Sequence, residues 1–131
     1  MNNPVTQVNA APANEALAHF KRSFSFETDC WDTHFALQLD NPSFVLLDVR
    51  SPELYKSGHI PGAVNLPHGK IIASKMRDWT IDTLFVVYCA GPHCNGAAKA
   101  AVKLAQLERP VKLMVGGITG WLDEGFTLQK M

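Results

Sequence analysis

The stretch that most constrains the fold is residues 83–106, where an apolar run is followed by a pattern of helical period. Residues 84–88 (LFVVY) are all apolar or aromatic, which is typical of a strand buried on both faces of a parallel sheet. Beyond them, one predicted helical face carries Ala97, Ala101, Leu104 and Ala105. The sequence therefore predicts a central strand, a loop over residues 89–96 and a helix. Open α/β sheets bind ligands at the carboxyl end of such a strand.

The loop contains two thiols, Cys89 at its start and Cys94 near its end. The first turn of a helix has unpaired N–H groups and a partial positive charge, which stabilise a thiolate or a bound anion. We therefore expect Cys89 to be an acidic nucleophile that needs no general base. The alternative is that Cys89 is only a small buried hydrophobe, as free cysteines commonly are.

Composition narrows the class of protein. At 131 residues and 47% hydrophobic content, the chain predicts one small globular domain. Its formal charge of zero offers no general attraction to nucleic acid or to an anionic membrane. Three cysteines do not suggest a disulfide framework, and their spacing matches no metal site. We expect a cytoplasmic protein, because its first residues carry no signal-peptide pattern. We also expect neither a metal nor a cofactor.

The N-terminal third predicts a flexible tail over residues 1–13 and a helical extension over about 14–41. Within the extension, Asn14 is expected to cap a first helix, and residues 24–27 alternate as in a short edge strand. Thr28 or Asp29 is expected to cap a second helix that runs to about Asn41. Its apolar side chains recur every four residues, at Trp31, Phe35 and Leu39.

The remaining chain alternates strand and helix patterns. Strands are predicted at residues 44–47, 63–66 and 111–115. Short helices are predicted after Ser51, within residues 70–79 with Ile71, Ile72, Met76 and Trp79 inward, and from Trp121. Such alternation predicts an α/β fold, with a mainly parallel sheet and helices on both faces.

Three motifs in this order resemble the rhodanese-like family. They are Asp-Val-Arg at 48–50 with Gly-His-Ile-Pro-Gly-Ala at 58–63, Val-Val-Tyr-Cys at 86–89, and Gly-Gly-Ile at 116–118 followed by Trp121. The resemblance covers residues 44–126 and implies a single rhodanese-like domain over residues 14–131. It also implies that Cys89 carries sulfane sulfur as a persulfide and passes it to a thiol or cyanide acceptor.

The loop departs from the commonest family pattern because it contains no Lys or Arg. It resembles a subgroup whose loop reads Cys-x-Gly-Pro-x-Cys-Asn-Gly. The expected active-site loop comprises Ala90, Gly91, Pro92, His93, Cys94, Asn95 and Gly96. We expect a small sulfur donor less charged than thiosulfate, with a protein as an alternative acceptor. The alternative to a sulfurtransferase is a persulfide carrier or redox-responsive binding module, while a phosphatase would need a cationic loop.

Further residues have expected roles beside Cys89. Cys94 is either a resolving thiol, a second sulfur acceptor, or a helix-start residue without chemistry. Asp48 and Arg50 are expected to brace the loop, and His59 to make a hydrogen bond within its turn. Cys30 is expected to be either structural or merely exposed.

Overall fold

The computed structural model describes residues 3–131, and its centre is a five-stranded parallel sheet. The spatial order of the strands is β1-β5-β4-β2-β3. Their bounds are β1 Glu27–Asp29, β2 Val45–Asp48, β3 Val64–Asn65, β4 Phe85–Tyr88 and β5 Val111–Val115. The helices are α1 Ala13–Ser23, α2 Cys30–Leu37, α3 Pro52–Ser57, α4 Gly96–Gln106 and α5 Gly117–Asp123. This confirms the predicted α/β fold.

Strand β4 lies in the middle of the sheet and all its side chains are buried. Alternate residues of a strand point to opposite faces, so β4 contributes to two cores. Phe85 and Val87 pack in the cluster that contains Leu104 of α4. Val86 and Tyr88 belong to the other cluster, which contains Trp121 of α5. The helices therefore cover both faces, as predicted.

Several helix boundaries follow from capping residues. Asp29 accepts a 2.8 Å hydrogen bond from the amide of Asp32 at the start of α2, which confirms its predicted capping role. Ser51 caps α3 in the same way, through the amide of Leu54. The prediction for Asn14 is wrong, because α1 begins one residue earlier at Ala13 and has no side-chain cap.

The predicted orientation of α2 is wrong. Trp31 and Phe35 are 62% and 66% exposed, and the buried residues of α2 are Cys30 and Thr33. Asp29 is both the last residue of β1 and the cap of α2, so the strand sets the rotation of the helix about its axis. The helix also ends at Leu37, before the predicted stop near Asn41.

Smaller differences occur elsewhere. The edge strand lies at 27–29 instead of 24–27, and the last helix begins at Gly117 instead of Trp121. Residues 68–78 form two 3-10 turns that bury Ile71 and Met76 but leave Ile72 exposed, against prediction.

In α4, Ala100 is buried while Ala105 is exposed. The buried face of this helix therefore follows residues 97, 100 and 104, at intervals of three and four. Across residues 3–131, no helix is long and apolar enough to cross a membrane.

Candidate active site

Cys89 follows the last residue of β4 directly, at the carboxyl edge of the sheet. The residue is buried, with 7% of its surface exposed, and it lines a cavity of about 420 Å³. The cavity is bounded by two segments and the loop. The lining residues besides Cys89 are Val49, Arg50, Ser51, Leu54, Pro67, His68, Gly69, Ala90, Cys94, Asn95 and Gly96. The sheet therefore holds the Cys89 backbone at a concave surface, where a small molecule has access.

Cys94 lies across the loop from Cys89, and the two sulfurs are joined in a disulfide. Their Cα atoms are 6.4 Å apart, within the range that a disulfide spans. Cys94 is exposed, unlike Cys89. The amide of Gly96 donates a 3.5 Å hydrogen bond to Cys94 Sγ, and within residues 3–131 this is the only N–H to either sulfur. In this oxidised form, the expected amide contacts therefore reach Cys94 rather than Cys89.

Gly96 is where the first turn of α4 meets both sulfurs. A Cβ at this position would lie 2.8 Å from Cys89 Sγ and 3.5 Å from Cys94 Sγ. The absence of a side chain therefore lets the helix begin directly against the thiols.

The rest of the loop is a turn on the surface. The carbonyl of Gly91 accepts a 3.1 Å hydrogen bond from the amide of Cys94, and the carbonyl of Asn95 accepts one from Lys99. Ala90, Pro92 and His93 are exposed. The outer side of the turn lines a second surface depression together with Thr119.

The first turn of α5 holds the first residues of the candidate site in place. The amide of Ile118 donates to the Cys89 carbonyl and that of Thr119 to the Ala90 carbonyl, each at 3.0 Å. Gly117 makes this approach achievable, because a Cβ there would lie 2.5 Å from the Cys89 carbonyl oxygen. The sequence pattern marks Gly116, Gly117 and Ile118 as a motif but indicates neither contact and does not point to Thr119. Ile118 contributes through its backbone amide, whereas Thr119 also donates through its side-chain Oγ1 to the Ala90 carbonyl at 3.2 Å.

Asp48 and Arg50 form a buried ion pair beside the cavity. Arg50 donates through Nε and Nη2 to the Asp48 carboxylate, and Nη2 also donates to the Gly58 carbonyl. The Tyr88 hydroxyl donates to Asp48 Oδ2 at 2.7 Å and accepts from the amide of Ile60. Burial lowers the pKa of Arg50, but its hydrogen bond and attraction to Asp48 outweigh burial and raise that pKa overall.

The same pair affects Tyr88. Burial, followed by the negative charge of Asp48, raises the pKa of the Tyr88 hydroxyl well above its ordinary value. Tyr88 therefore keeps its proton and remains a donor to Asp48. This network joins the ends of β2 and β4 at the carboxyl edge of the sheet.

Comparison with known proteins identifies the family. The rhodanese-like domain family matches residues 33–124, more than half of the chain. The chain belongs to this family. The match begins within α2, so it extends further toward the N-terminus than the motifs in the sequence do.

Rhodanese-like relatives differ in length and in name. The thiosulfate sulfurtransferase GlpE of Pseudoalteromonas translucida is 36% identical over 84 residues, which cover 63% of this chain and 77% of that protein. The HTH-type transcriptional regulator Rv0324 of Mycobacterium tuberculosis is 37% identical over 86 residues, 61% of this chain. The chain spans only 38% of that regulator's length.

A solved structure extends the likeness to the whole fold. The crystal structure of the BH2092 protein from Bacillus halodurans has a TM-score of 0.87 and 37% identity, covering 91% of this chain and 87% of that chain. The two chains therefore share one fold over most of their length.

Two histidines of this rhodanese-like chain, His59 and His68, differ in their position relative to the cavity at Cys89. His59 is buried away from the cavity lining, stacks on Tyr55 and donates through Nδ1 to the Tyr55 carbonyl at 2.8 Å. His68, which the sequence left without a role, lines the cavity instead. No group of three or more potential metal ligands occurs among residues 3–131.

Proposed function

We propose that this chain is a sulfurtransferase that carries sulfane sulfur as a persulfide on Cys89 and passes it to a thiol or cyanide acceptor. The observation that carries the proposal is the placement of Cys89, buried at the end of the central strand and facing a cavity of about 420 Å³. Relatives named thiosulfate sulfurtransferase support the reaction class.

In the first half-reaction, the reduced Cys89 thiolate attacks the sulfane sulfur of a donor and the donor's remainder leaves. In the second, the acceptor attacks the outer sulfur of the persulfide and restores the thiolate. One covalent intermediate shared by two half-reactions gives ping-pong kinetics. The loop of residues 90–96, with Asp48, Arg50 and His59 as structural support, is proposed to hold Cys89 in position.

The charges around the cavity support a donor of low charge. Among the described residues that line it, Arg50 is the only Lys or Arg, and Asp48 neutralises it in the ion pair. Thiosulfate would bring two negative charges to this surface without a free cation to receive them. We propose a persulfide such as glutathione persulfide as the better donor, with a small thiol or a protein thiol as acceptor.

The chemistry also suggests the setting of the protein. A thiolate nucleophile and thiol acceptors require a reducing compartment, so we propose the cytoplasm. We further propose that the chain belongs to the subgroup with the Cys-x-Gly-Pro-x-Cys-Asn-Gly loop. Residues 14–131 are proposed to act as one domain with an N-terminal extension at about 14–41.

Loading of sulfur onto variants that each lack one of the two loop cysteines tests the nucleophile. The Cys89→Ser and Cys94→Ser variants, reduced and freed of thiol, are exposed separately to glutathione persulfide and to thiosulfate. Intact mass should show one added sulfur on Cys94→Ser and none on Cys89→Ser. Glutathione persulfide should load faster, by about one to two decades, because thiosulfate lacks a charge-assisted contact.

Peptide mapping locates the added sulfur. If Cys89→Ser gains sulfur and Cys94→Ser does not, the nucleophile is Cys94 at the helix start, and the assignment of Cys89 is disproved. Faster loading by thiosulfate would contradict the proposed donor class.

A persulfide carrier or redox-responsive module is the second candidate. The Cys89–Cys94 disulfide favours it, because the bond occupies the thiol that a donor must reach. Thiocyanate production in the presence of cyanide distinguishes the two, since a carrier loads sulfur but turns over slowly.

A further inference from the structure

The positions of Cys89 and Cys94 permit a reaction between them that is not part of the transfer cycle. Cys94 Sγ is bonded to Cys89 Sγ, the sulfur that would be the inner atom of a Cys89 persulfide. The loop therefore brings the second thiol to the inner sulfur itself. Attack on the outer sulfur would require Cys94 to reach one bond further from Cys89.

We propose that Cys94 releases the sulfur carried on Cys89 as hydrogen sulfide, so that the chain is also a sulfide-producing persulfide reductase. This proposal rests on the proposed persulfide at Cys89. The Cys94 thiolate attacks Cys89 Sγ, the new bond joins the two cysteine sulfurs, and the bond from Cys89 Sγ to the outer sulfur breaks.

The step balances without an external reagent. Cys94 loses its proton to solvent, and the outer sulfur leaves with the bonding electron pair and its own proton as HS⁻. Two electrons pass from the two cysteine sulfurs to the sulfane sulfur, which is reduced to sulfide while the cysteines become a disulfide. A dithiol reductant is needed only afterwards, to reopen the disulfide for another cycle.

Two features of the loop and the cavity beside it favour this step. Cys94 is exposed and the amide of Gly96 donates to its sulfur, an interaction that stabilises a thiolate over a thiol. The missing side chain of Gly96 leaves room for both sulfurs at the start of α4. The cavity beside Cys89 holds about 420 Å³, ample for a leaving hydrosulfide.

The role of the disulfide supports the same conclusion. A permanent structural disulfide would block the thiol on which the proposed transfer depends. As the product of sulfide release, the same bond is a stage in a cycle, and it joins a buried thiol to an exposed one that a dithiol reductant can attack.

Single-turnover sulfide release tests the proposal. The full-length chain is reduced, freed of reductant and mixed without oxygen with one equivalent of glutathione persulfide. The wild type should release close to one equivalent of sulfide and end two hydrogens lighter than the reduced chain. Cys94→Ser and Cys94→Ala should keep the added sulfur and release no more sulfide than Cys89→Ser, which measures donor decomposition.

The order of the reaction provides an independent check. Release within one chain has a rate constant that does not change with protein concentration, whereas attack by another molecule makes it proportional to concentration. Once loading of Cys89 is complete, a rate constant of sulfide release that rises in proportion to protein concentration would overturn the proposal. The proposal is also overturned if the wild type keeps the added sulfur, whether peptide mapping finds that sulfur on Cys89 or on Cys94.

The outcomes separate this step from the proposed function. If Cys94→Ser and Cys94→Ala gain no sulfur, the persulfide at Cys89 is disproved and the release step with it. If these variants gain sulfur and the wild type forms no disulfide on loading, transfer stands and sulfide release is disproved.

Discussion

At the residue scale, Cys30 shows how burial makes a third thiol inert. Its sulfur lies 3.5 Å from the Val115 carbonyl and 3.7 Å from the Gly117 carbonyl, beneath the loop that supports the candidate site. Burial, followed by the negative charges of Asp29 and Glu124, raises the pKa of the Cys30 thiol from 9.0 to about 11. The reactive thiolate of Cys30 is therefore scarce at neutral pH.

Alkylation of the reduced native chain should discriminate among the three cysteines. A rise of about two pKa units lowers the thiolate fraction about a hundredfold at neutral pH. We expect iodoacetamide to modify Cys89 and Cys94 near neutral pH, and to modify Cys30 only as the pH approaches the Cys30 pKa of about 11. Peptide mapping at several pH values measures this order.

The unfolded chain is the control. In urea, where burial is lost, all three cysteines should react at comparable rates. Modification of Cys30 as rapid as that of Cys94 in the native chain would show that the thiol is accessible and ionised.

At the element scale, the first turn of α5 determines where the candidate loop lies. Gly117 has a φ of +60°, which disfavours a side chain, and a Cβ would also collide with the Cys89 carbonyl and the Gly91 amide. Both hydrogen bonds from Ile118 and Thr119 depend on this close approach.

Gly117→Ala should therefore impair both folding and transfer. We expect a loss of about 1–3 kcal/mol in the free energy of unfolding from backbone strain, together with slower sulfur loading of Cys89. Chemical denaturation and the loading assay measure the two effects.

Gly125→Ala is a matched control, because Gly125 has a φ of +83° but no atom lies within 4 Å of the position that a Cβ would occupy. It should lose stability by strain alone and keep the wild-type loading rate. Equal loading rates in Gly117→Ala and the wild type would show that the contact between α5 and the candidate loop does not position Cys89.

At the scale of the whole molecule, α1 contributes little to the core. It buries none of its residues, and its apolar side chains Leu17 and Phe20 are exposed. The sheet begins after it, where the Phe26 carbonyl accepts a hydrogen bond from Leu113.

Removal of residues 1–23 should leave the domain folded. Because no buried apolar surface of α1 is lost, we expect the free energy of unfolding to fall by less than about 1 kcal/mol. Thermal and chemical unfolding of the shortened chain measure this effect. A loss of several kcal/mol would mean that α1 stabilises the sheet in solution.

The sequence by itself determined the elements and their arrangement in the central part of the chain. The apolar run at 84–88 and the caps Asp29 and Ser51 act through neighbours a few residues away. Such local patterns predict a strand or a helix start directly. They also place Cys89 at the end of the central strand, because that position follows from the strand itself.

The tertiary structure alone decided which faces and loops meet. Trp31 and Phe35 had the spacing of a buried helical face, but the attachment of α2 to β1 turned them toward solvent. Equally, the support of Cys89 by Ile118 and the bond of Tyr88 to Asp48 join residues far apart in sequence. Both contacts depend on the strand order, which brings distant segments together. The contact of Ile118 also uses only backbone groups that every residue carries, so the residue pattern does not predict it.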